Sequence, residues 1–473
     1  MIMNQLIGRN EYVEELEDIY SSDKSEFVAV YGRRRIGKTF LIDRVFGGRM
    51  TFSITALANA PTKNQLLNFN IEMSRQFMRD FPLADNWLTA LNQLIGQLET
   101  MDDVQKKVIF IDEMPWMDTP KSDFLSSFEH FWNGWASKRN DIMLIACGSA
   151  TSWIVSKLIN NKGGLHNRVT RRIRVMPLSV ADCGQILVQK GITCEKYDII
   201  SYYMALGGVP FYWTLLKKGL SVSQNIDYLF FNEVSPLKDE FHLMYSSLFS
   251  NHQKYIKMVE VLGSKSKGLT RQEIIGATKQ NSGGALTEIL NNLQLCGLVG
   301  KTIPPHSSVK NALYKLDDFY TLFYLRFLHD KGAAGSGAWS KMAKTPKLNT
   351  WAGLAFEQVC IHNSAQILEK MKIAGIETNI YQWRSRKNLG GAQIDMVIDR
   401  ADNVVNICEI KFSTEKFVIT ADYADKIRNK VAIFRQETGT KKTIFVTMIT
   451  TYGIVENQYA GVVQNQLTAE DLF

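Results

Sequence analysis

Val28-Ala-Val-Tyr-Gly-Arg-Arg-Arg-Ile-Gly-Lys-Thr39 decides the fold of the amino-terminal part of the chain. A short apolar run leads into Gly32-x-x-x-x-Gly37-Lys38-Thr39, and Phe40-Leu-Ile-Asp-Arg-Val-Phe46 then reads as a helix. Strand, glycine-bounded loop and helix in that order form the P-loop pattern. Its backbone N–H groups wrap a polyphosphate, so Gly32 and Gly37 stand where a side chain would obstruct the approach. Lys38 brings a positive charge to the β- and γ-phosphates, and the Thr39 hydroxyl can join a Mg²⁺ shell. The helix turns its positive end to the anion. Gly32, Arg33, Arg34, Arg35, Ile36, Gly37, Lys38, Thr39 and Phe40 are the expected ATP-binding segment.

Outward from this loop, the helical stretches at 11–20, 62–80, 86–99 and 123–138 alternate with apolar runs at 50–55, 107–112 and 142–149. Such alternation predicts a parallel sheet covered on both faces, with ligands at the carboxyl ends of the strands. Thr39, Asp112-Glu113 and Ser149 all fall at such ends. Asp112, expected at the tip of a strand next to the loop strand, would hold Mg²⁺, and Glu113 would polarise the attacking water. Ser149 would feel the γ-phosphate from the neighbouring strand. Arg168-Val-Thr-Arg-Arg-Ile-Arg174 carries four arginines in seven residues. Arg168, in the loop before the strand, is the candidate arginine finger; a solvated basic strand face is the alternative.

These residues resemble the archaeal-type ATPases of the AAA+/STAND-related P-loop group. The likeness rests on Leu6-Ile-Gly-Arg-Asn-Glu11, Val30-Tyr-Gly-Arg-Arg-Arg-Ile-Gly-Lys-Thr39, Phe110-Ile-Asp-Glu-Met-Pro-Trp116 and Gly207-Gly-Val-Pro210, and covers roughly residues 1–330. It implies an ASCE/AAA+-like parallel sheet, with Gly8 and Arg9 beside the nucleotide base and the helix start at Pro210 closing over it. Relatives usually carry Tyr-Gly-Arg before the basic strand, where this chain has His166-Asn-Arg168.

Farther along, residues 178–250 read as a helical lid after a 1–177 core. Residues 251–330 read as three helices and a β-wing, the pattern of a winged helix-turn-helix. Thr270 and Glu273 are spaced for a capping box there. This segment has ten Lys and Arg against six Asp and Glu, and its third helix carries no basic residue. Intramolecular docking and DNA contact both fit. A linker at 331–345, containing Lys331-Gly-Ala-Ala-Gly-Ser-Gly337, precedes a compact α/β part at 346–473.

In that last part Asp395 lies on one expected strand, and Glu409 and Lys411, two apart on another, share a face. Asp395 and Glu409 could hold Mg²⁺ with Lys411 alongside, and Glu357 on the preceding helix could add a carboxylate. The helix–strand–strand–helix–strand order around them resembles the PD-(D/E)xK restriction-endonuclease-like fold. That likeness implies phosphodiester cleavage, with Gln393 where relatives often have Glu; a fold kept only for binding is the alternative.

The 473 residues allow two to four domains, and +8 formal charge permits a nucleic-acid partner without demanding one. Six scattered cysteines suit a reducing compartment. The start lacks signal-peptide character and no apolar run approaches the ~18 residues of a membrane span. The expectation is therefore a cytoplasmic ATPase, able to form homo-oligomers, whose nucleotide state controls a Mg²⁺-dependent DNA nuclease. An ATP-regulated switch or scaffold, or a DNA-binding regulator with an inactive nuclease fold, is the alternative.

Overall fold

The computed structural model describes residues 6–101, 105–161, 163–249, 251–266, 268–279, 283–303, 312–329, 337–342, 345–385 and 391–473. The expected Pro304–Ser308 wing loop and residues 331–336 of the linker lie outside them. Two compact units emerge. One comprises residues up to Met176 together with Leu243–His252 and Glu288–Gly297; the other comprises Pro177–His242, Gln253–Thr287 and Leu298–Phe473.

The first unit is built on strands β1 (Glu26–Tyr31), β2 (Met50–Thr55), β3 (Lys107–Asp112), β4 (Ile142–Gly148) and β5 (Arg171–Arg174). All pair in parallel in the order β2-β3-β4-β1-β5, so the expected parallel α/β fold is present. Every residue of β3 and β4 is buried, as a strand covered on both faces requires. The period-two alternation sorts the core into two layers. Phe27, Ala29, Ile109, Ile111, Leu144 and Ala146 pack with the helices Thr62–Phe77, Trp87–Glu99 and Phe124–Gly134. Val28, Val30, Val108, Phe110, Met143 and Ile145 pack with Asn10–Tyr20 and Lys38–Phe46. One expectation is corrected. β3 is not next to β1, because β4 lies between them; chain order does not reveal which strand a covering helix carries the chain past.

In the second unit, helices including Val180–Gln189, Lys196–Leu206 and Phe319–Phe327 surround an aromatic core. Phe323, Phe327, Trp339 and Trp351 meet there with ring centroids 5.0–5.8 Å apart. A small antiparallel sheet, ordered β6-β8-β7, joins β6 (Leu269–Thr270), β7 (Val299–Thr302) and β8 (Leu313–Leu316). Thr270 and Glu273 do form the reciprocal capping box at the start of the helix Arg271–Thr278.

The unit's larger sheet is mixed. Strands β9 (Thr378–Arg384), β10 (Gln393–Arg400) and β11 (Val404–Lys411) form an antiparallel meander. The helix Ala421–Thr438, capped by Thr420 and ended by left-handed Gly439, then crosses over to β12 (Thr443–Thr450) and β13 (Asn465–Thr468), both parallel to β11's direction. The strand β13 was not expected. The long helix anticipated near 351–370 is broken into Pro346–His362 and Ser364–Lys370. Asn363 at the break accepts the Val180 N–H at 2.9 Å through its side chain. No described helix is long and apolar enough to cross a membrane.

Candidate active sites

The loop between β1 and Lys38 is shaped by its main chain. Gly32 has φ 146°, and a Cβ there would lie 2.5 Å from the Val175 carbonyl oxygen. Gly37, at φ 92°, faces open space, so here only the conformation demands glycine. Ile36 is fully buried in the lower core layer and anchors the loop. Gly37 caps the helix Lys38–Phe46 without a side-chain bond, leaving its amino-terminal N–H groups for an anion. Lys38 is buried, and its ammonium donates to the carbonyls of Gly32 and Arg33 at 3.1 Å each.

The carboxyl ends of β3 and β4 converge on this loop. Thr39 Oγ1 donates to Asp112 Oδ2 at 2.8 Å across 73 residues of sequence. Glu113 takes a left-handed φ of 50°, and Ser149 grips its carboxylate with Oγ at 2.7 and 2.8 Å and with its N–H at 3.0 Å. Thr151, which the sequence did not single out, donates to the Gly32 carbonyl at 3.3 Å. Burial raises the Asp43 carboxyl, with the Asp112 charge adding to it. Accumulated negative charge beside a hydroxyl already paired with a carboxylate fits Mg²⁺, which Thr39 and Asp112 would hold.

Other expected residues support the loop from outside. Arg9 is buried and donates to the carbonyls of Ile36 (3.2 Å) and Met176 (2.9 Å), bracing the loop's outer side. Gly8 precedes it at φ 60°. Arg33 reaches Met244 Sδ at 3.5 Å and Arg34 the Leu243 carbonyl at 2.9 Å. Arg35 has φ 65°, and Arg44 stacks over Phe40 at 5.2 Å. Pro210 belongs to the second unit, where it begins the helix Pro210–Thr214. The glycines before it have a packing reason of their own, since a Cβ on Gly208 would meet the Leu178 carbonyl oxygen at 2.0 Å.

Arg168 stands elsewhere. β5 runs parallel to β1, with Arg171 opposite Val28 and Arg174 opposite Tyr31. The loop leaves β1 after Tyr31, so exposed Arg168 sits at the other edge of the sheet, a strand's length of roughly 15 Å away. Arg174, at the loop's edge, instead donates to the main-chain carbonyls of Gln294 and Leu295 at 3.4 and 3.5 Å.

The second cluster grows from an irregularity in β10. Its pairing with β9 shifts register between Ile394 and Val397, and a bulge of this kind re-aims the side chains within it. The Asp395 carbonyl consequently accepts Gln382 Nε2 at 3.2 Å, and Asp395 Oδ2 takes the Ile410 N–H at 3.0 Å. Lys411 Nζ lies 3.5 Å from Asp395 and 3.7 Å from Glu409, so the structure brings these three residues together. Glu409 is almost fully buried. Its oxygens accept from Lys430 at 2.6 Å and from the Tyr423 hydroxyl at 3.1 Å. Burial and Asp395 raise the Glu409 carboxyl, against Lys430 and Lys411. Burial and the adjacent Glu409 raise the Tyr423 hydroxyl. Glu357 joins the cluster electrostatically and is pushed up to about 7 by burial and then by Asp395.

Sequence reasoning missed Tyr423, Lys430, Gln382 and Lys315. Tyr423 and Lys430 are seven apart on one helix, two turns that share a face, which was the available signal. Among the described residues no three His, Cys, Asp or Glu side chains converge as a ready-made metal cage. Burial raises Glu409 and Glu357 and the Asp395 charge raises both further, and such a crowding of negative charge still fits a divalent cation. Asp395 and Glu409 would hold it, with main chain and water completing the shell, as Mg²⁺ commonly accepts.

No family model matches the chain. An uncharacterized protein, MJECL04 of Methanocaldococcus jannaschii, is 24% identical over 421 residues, covering 87% of this chain and 88% of that protein. Among solved structures, the Walker-type ATPase PABY2304 of Pyrococcus abyssi is 15% identical with a TM-score of 0.47, covering 68% of this chain and 96% of its own. The ORC2 protein of Aeropyrum pernix, in its ADPNP–ADP complexes, is 15% identical with a TM-score of 0.43, covering 68% and 93%. Both TM-scores lie below 0.5, so this likeness adds no weight to the residues described above.

Proposed function

We propose that the chain binds and hydrolyses ATP at the Lys38 loop, and that its nucleotide state controls a Mg²⁺-dependent centre that cleaves DNA phosphodiesters at Asp395, Glu409 and Lys411. The supporting observation is the meeting of Thr39, Asp112, Glu113 and Ser149 at the mouth of the loop, from three separate stretches of sequence. Mg²⁺ at Thr39 and Asp112 would neutralise phosphate charge. Lys38 exchanges its two carbonyl partners for the β- and γ-phosphates, which satisfy an ammonium better than neutral oxygens do. Glu113 leaves Ser149, orients the attacking water and accepts its proton; the β–γ bridge bond breaks and ADP and phosphate depart. A finger at Arg168 would serve a neighbouring copy, given its place on the far edge of the sheet.

At the second centre Mg²⁺ would offset the charge of the scissile phosphate. Lys411 would hold the attacking water close to Asp395 and Glu409. As the water's oxygen bonds to phosphorus, Glu357 would take up its proton; the bond from phosphorus to one sugar oxygen would break, that oxygen leaving with a proton from solvent. Segment 251–330 serves as a winged-helix docking element, a role supported by Arg174 on the Gln294 and Leu295 carbonyls. One observation favours the rival reading of an ATP-regulated switch with an inactive nuclease fold: both Glu409 oxygens already have protein donors. The deciding measurement is ATP turnover and plasmid cleavage in Mg²⁺ for wild type, Lys38→Ala and Lys411→Ala. We expect turnover to vanish in the first variant and cutting in the second. Equal cutting by Lys411→Ala and wild type would remove the nuclease assignment and leave the switch.

A further inference from the structure

Within the second unit a cleft of about 770 Å³ opens between the small sheet and β9. Tyr314 and Leu316 of β8 are buried, so the intervening Lys315 projects to the opposite face and lines this cleft. Tyr381 and Trp383 of β9 belong to the sheet's core, and by the same alternation Gln382 and Arg384 turn outward and line it too. Thr302 of β7 stands on the small-sheet wall, and Glu357 marks where the cleft reaches the acid cluster.

The link to that cluster is direct. Lys315 Nζ donates to Gln382 Oε1 at 3.4 Å, and Gln382 Nε2 donates to the Asp395 carbonyl at 3.2 Å. Burial lowers the Lys315 ammonium, while Glu357, Asp317 and Asp395 act to keep it charged. The two facing walls present the cations Lys315 and Arg384, the Thr302 hydroxyl and the Gln382 amide. Asp399 and Glu437 in the lining are engaged by Lys442 and Ser385, so a phosphate–sugar backbone finds donors here. The volume lies within the roughly 300–1,000 Å³ that enclose small-molecule-sized ligands. It suits one or two nucleotide units of a strand and is too small for a duplex.

We propose that this cleft binds a single nucleic-acid strand, with Lys315 and Arg384 as its phosphate contacts. The inference deepens the phosphodiester-cleaving reading and rests on it for the fate of the strand. It is tested with the full chain in EDTA, by titrating a short fluorescein-labelled oligodeoxythymidylate between about 50 and 200 mM salt. Lys315→Met and Arg384→Met should each weaken binding roughly three- to tenfold and lower the salt slope by about 0.7. A wild-type midpoint in the denaturation transition of the second unit, the one ATP does not shift, shows that each variant is folded. Wild-type affinity and slope in both variants, or no strand binding by the wild type, overturns the proposal. If the wild type cuts DNA and both variants keep its kcat/KM, the cleft falls and the cleavage reading stands. If binding shifts as expected while no DNA is cut, the cleft stands and the cleavage reading falls.

Discussion

The two clusters put charge in place by opposite means. Around Lys38 the main chain does the shaping: Gly32, Arg35 and Gly37 all have positive φ, and the lysine donates to two carbonyls of its own loop. Around Glu409 one bulge re-aims Asp395 and side chains do the rest, with Lys411, Lys430 and Tyr423 arranged on carboxylates. A site of the first kind is open to exchange, because a phosphate competes with weak neutral acceptors. One of the second kind is neutralised in advance, and any ligand must displace a partner or share one. Chemistry at the first site should therefore depend on single residues without much change in stability. At the second site, function and stability should move together.

The largest expected effect is at Glu113. Replacing it with Gln keeps the Ser149 contacts sterically possible but removes the base, so ATP turnover should fall by roughly 10²–10⁴ with ATP affinity nearly unchanged. Pre-steady-state binding and steady-state turnover measured together check this. A loss of affinity equal to the loss of rate would mean that Glu113 shapes the loop and does not act on water. Glu409→Ala probes the other side of the contrast. It strands two lysines, which are 25% and 30% exposed and so can partly rehydrate. The cost should be about 2–3 kcal/mol, below the roughly 3–5 of a fully buried broken pair. Chemical denaturation should show it in the transition that ATP does not shift. Lys38→Ala removes two bonds to neutral carbonyls and should cost less, about 1 kcal/mol, confined to the transition that ATP shifts. Equal destabilisation by the two substitutions would erase the distinction.

What could be read from the sequence follows the same divide. The Lys38 loop was legible because its eight residues are contiguous and Gly32, Gly37, Lys38 and Thr39 each have a physical job in it; Asp112 and Ser149 were legible as polar endings of apolar runs. The strand order was not, since nothing in β3 or β4 records that β4 comes to lie beside β1. In the carboxyl-terminal part the i, i+2 spacing of Glu409 and Lys411 exposes a shared face. The placement of Asp395 needed a bulge that no residue type announces. Lys315 was beyond reach, because an isolated lysine on a short strand looks solvated until a second sheet is packed across from it. Arg168 shows the converse, where a suggestive cluster of charge lies at the edge of the sheet away from the loop.

A further expected effect is a pH slope, and its sign is determined by Glu357. Its ordinary value of 4.5 rises to about 7 in the fold, chiefly through burial and then through Asp395, with Lys315 and Lys411 opposing. The folded chain therefore holds this proton at pH values where the unfolded chain has released it. Stability is full below 4.5, falls as pH rises from 4.5 to 7, and levels off above. His362 adds a fall of the same sign from a higher start, 6.5, because Asp317 holds its proton although burial opposes this. Glu357→Gln should flatten only the lower window and should be more stable than wild type at pH 8, which thermal melts across pH 4–8 would show. Adding MgCl₂ should flatten that window in the wild type, since a cation at Asp395 and Glu409 favours ionised Glu357. A wild-type slope that persists unchanged in Mg²⁺ would mean that these carboxylates answer only to their lysines. The second cluster would then be an internal ion pair, unlike the exchangeable lysine of the first.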